Sequence, residues 1–429
     1  ATAIFLCMAT PANAQLSKPE TKMAATVDAE YERSVALLEK LVNQNSGSLN
    51  LDGVEKVGQM MRAELEMLGF NVRWVPMAAA GRSGHLIATR KGDGKGNKML
   101  LIGHLDTVFE PASPFQTFVR EGDKAVGPGA NDNKGGIVIM LAALRAMQAA
   151  GTLSKADIEI VLTGDEEDAG DPIEIARADL VAAGKRADVA LDFEGLATVD
   201  GKDMGSIARR SAGSWTVTAK AKGGHSSGIF SAAAGDGAIY ALAKIIAAFR
   251  AELPETNLTF NVGLITGGVE ASLGAGGITA TASGKTNIIP EVAIARGDIR
   301  TLSPEQEARV RAKMDAIVAR TSPGATAQIS FDGGSYPAMA PTDGARALLG
   351  KLNSINRDLG LPEMETLDPI KRGAGDIAFV AKDVDGLVGL GSAGSGDHAI
   401  GETIDLNSIK RQAKRAAILM SRLSREKLK

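Results

Sequence analysis

The order of strand-like and helix-like segments predicts an α/β fold, a sheet flanked by helices and split by an inserted α+β unit. Three observations predict it. Buried strand-length runs alternate with helical periodicity through the first half of the chain. Near Trp215 this gives way to alternating, half-exposed strands. From about Gly333 the first style resumes. Alternation of the first kind argues a largely parallel sheet, and strands of the second kind argue a sheet with one open face.

In chain order, residues 29–68 carry helical spacing through Leu37, Leu38, Leu41, Val54, Val57, Met61 and Leu65. Strands follow at 71–75, 85–89 and 98–103, the last ending at His104. An apolar helix is expected at 135–150, a strand at 157–163, a helix at 171–183 and a short strand at 189–193. The inserted unit reads as strand 215–221, helix 232–253, strands 258–264, 277–282 and 292–300, helix 304–320 capped by Ser303, and strand 325–331. Helices at 343–359 and 376–382, a strand at 386–390 and a basic helix from Asn407 complete the chain. The expected units are a leader at 1–14, a first catalytic part at 15–211, a lid at 212–331 and a second catalytic part at 332–429.

The formal charge of -3, from 48 basic and 51 acidic residues, gives no field suited to nucleic acid or an anionic membrane. The run from Ala3 to Met8 followed by Ala12-Asn13-Ala14 reads as a secretory signal cleaved after Ala14, with its front missing. It is too short to anchor in a bilayer. Cys7 is the only cysteine and falls in that leader, so a metal in the mature chain would be held by His and carboxylates.

Of four histidines, His104, His225 and His398 lie in loops rich in Gly and polar residues, whereas His85 sits on an apolar strand and reads as structural. His104-Leu105-Asp106 follows a buried strand, where α/β enzymes place their sites. Imidazole ligates metal, and the nearby carboxylate can orient the ring; a plain structural pair would look the same. A glycine-rich turn delivers Asp132 to the start of a helix, which also describes an ordinary N-cap. Asp165-Glu166-Glu167-Asp168 crowds like charges at a strand end, which calls for a cation unless the loop is simply solvated. One such carboxylate can bind metal while its neighbour serves as base. Asp192 and Glu194 compete as the ligand after the next strand, and Asp397-His398 lies in a Gly/Ser loop near Glu402.

In this order the motifs resemble the co-catalytic zinc exopeptidases and aminoacylases, in particular their glutamate carboxypeptidase-like branch. The matching pieces are HLDTV at 104–108, GPGANDNKGG at 127–136, DEE at 165–167, FEG at 193–195, GGHSS at 223–227, TNIIP at 286–290, DIR at 298–300 and GSGDH at 394–398. The resemblance implies a zinc-exopeptidase-type mixed sheet flanked by helices, with a ferredoxin-like α+β lid that also forms a homodimer. It implies two Zn2+ per subunit, sites that Co2+ or Mn2+ would also suit. Asp132 would bridge them, with His104 and Glu194 completing one site and Glu167 and His398 the other. Glu166 would be the general base and Asp106 would hold the His104 ring. Glu194 is favoured over Asp192 by the Phe-Glu placement. On substrate, the resemblance brings in His225 from the partner subunit, Asn287 and Arg300. Gly373 and Gly375 could offer backbone N–H groups to a carboxylate, although Arg372-Gly373-Ala374-Gly375-Asp376 departs from the family's Gly-rich Thr-Asp form.

The implied activity is a metallocarboxypeptidase that releases a C-terminal amino acid, glutamate for example, from N-acyl amino acids or short peptides. A dipeptidase, an N-acyl-amino-acid deacylase or a succinyl-diaminopimelate-type desuccinylase would use the same residues. A reading of another class is a non-catalytic metal- or peptide-binding protein on the same fold. The leader points to a secreted or periplasmic enzyme without a membrane anchor.

Overall fold

A computed structural model describes residues 16–320 and 322–427. The expected leader at 1–14 lies outside the described residues. Among the described residues, no helix is long and apolar enough to cross a membrane.

The main sheet has six strands in the order Asn71–Pro76, Gly84–Arg90, Asp157–Thr163, Lys98–His104, Val189–Asp192 and Gly386–Leu387. The last four run parallel, and the first two pair antiparallel. The sheet is therefore mixed, with the expected parallel core and a hairpin on one edge. Met99, Leu101, Ile158 and Ile160 face one layer and Leu100, Ile102 and Val161 the other, as a period of two dictates.

On the first face lies helix Lys134–Ala149, apolar all round because helices Lys18–Ala29, Tyr31–Val42 and Leu406–Leu423 pack over it. Its Leu141 is fully buried; truncation to Ala there would cost about 2–5 kcal/mol. The expected helical stretch at 29–68 is two helices, Tyr31–Val42 and Leu51–Met67, parted by an Asn- and Ser-rich loop. Ahead of them lies a further helix, Lys18–Ala29, outside the expected elements; Ser17 and Glu20 form a capping box at its start.

The opposite face shows two departures. The expected helix at 171–183 is two short pieces, Ile173–Ala176 and Ala178–Gly184, broken at Arg177. That side chain turns inward to meet Asp165 and Asp376, at 2.6 and 2.7 Å. The expected helix at 376–382 is a single 3-10 turn, Asp376–Phe379.

Residues 213–331 build a separate antiparallel sheet, in which Gly213–Ala221 lies between Val292–Arg300 and Ala325–Phe331 and Leu264–Gly268 forms the far edge. Helices Gly237–Glu252 and Pro304–Val318 cover one face around Trp215 and Phe249, and Ser303 caps the second by accepting the N–H of Gln306 at 3.1 Å. This is the ferredoxin-like arrangement of strands and helices. The first helix starts later than expected because Gly235 and Gly237 take φ of 68° and 76°. The strand expected at 277–282 is half of a hairpin, Glu270–Leu273 with Ala280–Ser283.

A small sheet was not foreseen. Gly394–Ser395 pairs with Thr403–Asp405, which pairs with Lys124–Val126. It sets the loop carrying His398 beside the turn carrying Asp132.

Candidate active site

Three neighbouring parallel strands end side by side, and the loops that follow them carry acidic or imidazole groups. His104 closes the central strand; Glu166 and Glu167 follow the strand on one side, and Glu194 follows the strand on the other. This carboxyl edge is where open α/β sheets bind ligands. Asp132 arrives from the start of helix Lys134–Ala149. There Gly136 lets the helix approach the Glu194 strand, since a Cβ would lie 1.9 Å from the Phe193 carbonyl oxygen. Asp132 is not the helix cap; that position belongs to Asn133.

The carboxylate of Asp132 lies between two imidazoles. Its Oδ1 is 3.1 Å from His104 Nε2 and its Oδ2 3.2 Å from His398 Nε2. Glu194 Oε1 is 3.3 Å from the same His104 nitrogen, and Glu167 Oε2 is 3.1 Å from the same His398 nitrogen. Asp192 turns away: its carboxylate accepts the Glu194 N–H at 3.2 Å and faces Arg209 at 3.6 Å. His398 takes a left-handed φ of 64°, uncommon for a side chain of its size.

Asp106 joins the two halves. Its oxygens lie 3.3 Å from His104 Nδ1 and accept N–H groups of Glu166 and Glu167, each at 3.0 Å, and the Ser48 hydroxyl at 2.6 Å. One buried carboxylate thus orients an imidazole and pins the loop bearing Glu166.

The electrostatics ask for cations. Burial, then the charge of Glu194, pushes the Glu166 carboxyl well above the usual range. Burial raises Glu167 to about 7, and burial followed by Glu194 does the same for Asp192. Hydrogen bonds to Asp132 and Glu167 push His398 up to about 11. Burial opposes charge on His104, but bonds to Asp106, Asp132 and Glu194 outweigh it and hold the ring well above its ordinary value. Carboxylates that draw a proton onto each imidazole would draw a metal ion in its place. His104, Glu166 and Glu194 offer one converging set of donor atoms; His104, Asp132 and Glu167 offer another. The mixed imidazole and carboxylate donors fit divalent cations. Glu166 belongs to one of these sets, so both ligation and proton transfer lie within its reach.

Sequence reasoning missed several contributors. Arg209 Nη1 lies 3.2 Å from Glu194 Oε2, and its Nε donates to the Gly373 carbonyl at 2.9 Å. Glu402 accepts the N–H groups of Gly129, Asn131 and Asp132 at 2.9, 2.7 and 2.9 Å. Arg372 donates to the Gly195 carbonyl at 2.6 Å. Glu402 and Arg372 stood in segments already noted but without a role, and for Arg209 the signal was a pair of arginines at 209 and 210 inside a Gly/Ala/Ser stretch.

A cavity of about 470 Å³ opens onto the cluster, lined by Asp132, Glu166, Glu194 and His398 together with Arg209, Arg300, Lys371 and Arg372. Gly373 lines it as well. Gly375 does not; it stands behind Arg209, where a Cβ would lie 2.1 Å from Nη1. His225 and Asn287 are exposed on the second sheet's unit and adjoin each other, Ser226 N–H donating to the Asn287 carbonyl at 2.9 Å. Neither lines this cavity. His85 is buried beneath the acidic loop, Nε2 at 2.7 Å from the Ala176 carbonyl and Nδ1 accepting the Gly164 N–H.

Imidazole and carboxylate donors gathered at the carboxyl edge of an α/β sheet, with an acid beside them able to move protons, define a metallohydrolase. The chain belongs to peptidase family M20/M25/M40, whose model matches residues 100–422. It is 27% identical over 400 residues to carboxypeptidase G2 of Pseudomonas sp., covering 90% of this chain and 88% of that one. It is 30% identical over 314 residues to succinyl-diaminopimelate desuccinylase of Acidiphilium cryptum, covering 70% and 76%. Among solved structures, a Staphylococcus aureus tripeptidase superposes with a TM-score of 0.69 at 18% identity, covering 92% and 99%. A dinuclear metal-binding peptidase of Bacillus subtilis gives 0.63 at 17%, covering 92% and 99%.

Proposed function

We propose that this chain is a zinc-dependent carboxypeptidase that cleaves the amide bond to a C-terminal amino acid, glutamate among them, in N-acyl amino acids or short peptides. The cationic groups that share the cavity with the donor cluster carry this reading. Arg300, Lys371 and Arg372 line the same cavity as Glu166 and Glu194. A free carboxylate beside the scissile bond would find its charge complement there. The resemblance to carboxypeptidase G2 supports the same choice.

His104, Asp132, Glu194, Glu167 and His398 would hold the metal pair, which when bound would supply Lewis acidity toward water and the scissile carbonyl. Glu166 would take a proton from the attacking water and return it to the leaving amine. Its carboxylate lies within the same converging group of donor atoms as His104 and Glu194, as a base acting on a water held there must. Asp106 keeps the His104 ring and the Glu166 main chain in register. Hydrolysis assays on N-benzoylglutamate, alanylglutamate and N-acetylmethionine with added Zn2+ test the reading. Preference for N-succinyl-diaminopimelate over all three would instead favour a desuccinylase.

A homodimer through the inserted unit is part of the proposal. Ile239 and Tyr240 on helix Gly237–Glu252, and Ile265 on the edge strand, are exposed, as a shared face would require. His225 and Asn287 on that unit would then serve the partner's cavity; a monomeric mass in solution would count against this. The leader argues a secreted or periplasmic setting, which N-terminal sequencing of the mature protein checks.

A further inference from the structure

Tyr336 lies on one of two segments that join the main sheet to the inserted unit. These segments, near 206–212 and 332–339, pair with each other. Ala212 and Tyr336 exchange backbone hydrogen bonds at 3.0 and 2.9 Å, and Arg209 and Met339 do the same at 3.0 and 2.9 Å. The two-stranded ribbon sends a side chain to each part of the site. Arg209 goes to Glu194. The Tyr336 hydroxyl donates to the Glu166 backbone carbonyl at 2.8 Å and accepts from Arg177 Nη2 at 2.7 Å. The tyrosine ring is itself fixed, edge-on against Phe379 at 5.0 Å between centroids. Arg177 is held by Asp165 and Asp376.

We propose that Tyr336 is the positioning residue of the proton carrier. It pins the main chain of Glu166 from the ribbon that attaches the inserted unit, so the orientation of that unit is felt at the base. This rests on reading Glu166 as the proton carrier. Glu166 is held on one side by its N–H on Asp106 and on the other by its carbonyl on Tyr336. Both restraints fix the peptide planes flanking the side chain, and a displacement of about 1 Å at such a group can cost about 100-fold in rate.

Tyr336→Phe is the test, because it removes the hydroxyl, keeps the ring on Phe379 and leaves Arg177 its bond to the Asp165 carbonyl at 3.0 Å. Two readouts are taken: hydrogen exchange of the 160–170 segment, and kinetics on whichever of N-benzoylglutamate, alanylglutamate and N-acetylmethionine the wild type cleaves fastest. The expected result is faster exchange at 166–168, a kcat lower by about 10- to 100-fold, a KM within about twofold and an unchanged metal content. Phe379→Leu, which disturbs ring packing and spares the hydroxyl, should lower Tm while retaining kcat. Unchanged exchange in Tyr336→Phe, or an equal fall of kcat in Phe379→Leu, would overturn the proposal. Should the wild type cleave none of the three, the functional reading fails by itself and exchange alone decides on Tyr336.

Discussion

Glu402 accepts the backbone N–H of Asp132 at 2.9 Å, and through the same carboxylate those of Gly129 and Asn131. The turn that presents Asp132 is therefore shaped by a residue on the far side of the His398 loop. Glu402→Gln keeps the size but leaves one oxygen to accept where two did. The expected outcome is metal affinity weaker by about 10- to 100-fold, the usual cost of losing a supporting partner. Competition with a chelator measures it, and unchanged affinity would mean that the turn holds without Glu402.

Glu166→Gln separates proton transfer from ligation. With Glu166 as base, kcat/KM should fall by about 100- to 10,000-fold while the metal content stays the same. A parallel loss of metal would reassign Glu166 to the ligand set that geometry also allows it.

Metal binding should release protons. His398 is held at about 11, so its ring is protonated at neutral pH, and bonds to three carboxylates outweigh burial to raise His104 as well. Each must become neutral to ligate, so affinity should weaken as pH falls. Calorimetry in buffers of different ionisation enthalpy counts the protons; a pH-independent affinity would contradict the cluster described.

Asp203 offers a stability test away from the site. Burial raises its pKa, but hydrogen bonds from Arg411 and Arg415 outweigh this and hold it below its ordinary value of 3.8. Arg415 is buried and also donates to Asn356 and Gln412, at 2.7 and 2.9 Å. Asp203 is half-buried, so Asp203→Asn should cost about 1–2 kcal/mol at neutral pH, between an exposed and a fully buried pair. A depressed folded pKa places this contribution fully above the unfolded value, and it fades as pH falls through the folded one. Denaturant titrations of both proteins from pH 7 to pH 2 should therefore converge; a gap that widened on acidification would refute the assignment.

Gly375→Ala places a methyl group where Arg209 now lies, 2.1 Å from its Nη1. Displacing that guanidinium would free Glu194 Oε2 of its partner. Metal affinity should drop by about tenfold or more with little change in Tm; wild-type affinity would show that Arg209 does not steady Glu194.

How much of this was legible follows a physical line. The segments around His104, Asp132, Glu167, Glu194 and His398 stood out because most follow a strand or begin a helix with glycines around them, a local pattern; which acid in each segment would ligate came only from the family resemblance. Arg209, Tyr336 and Glu402 act only because distant segments pair, the crossover ribbon in two cases and the small sheet in the third. No window of sequence records such registers. The break at Arg177 was hidden for a related reason: its helical surroundings yield to two buried carboxylates far along the chain. His225 and Asn287 were legible as a pair by motif, and within one chain they adjoin each other without reaching the cavity.

His104, Glu167 and Glu194 follow three adjacent strands in parallel register. The pitch between such strands is about 4.8 Å and is set by main-chain bonding, whatever the side chains. The spacing of the donors is thus inherited from the scaffold and not adjusted residue by residue. A change of donor length or kind would retune reactivity while the ruler on which the donors are mounted stays the same. Substrate range is not free of it, because Arg209 lines the cavity and also holds Glu194, so rebuilding that part of the lining would be felt at the donors.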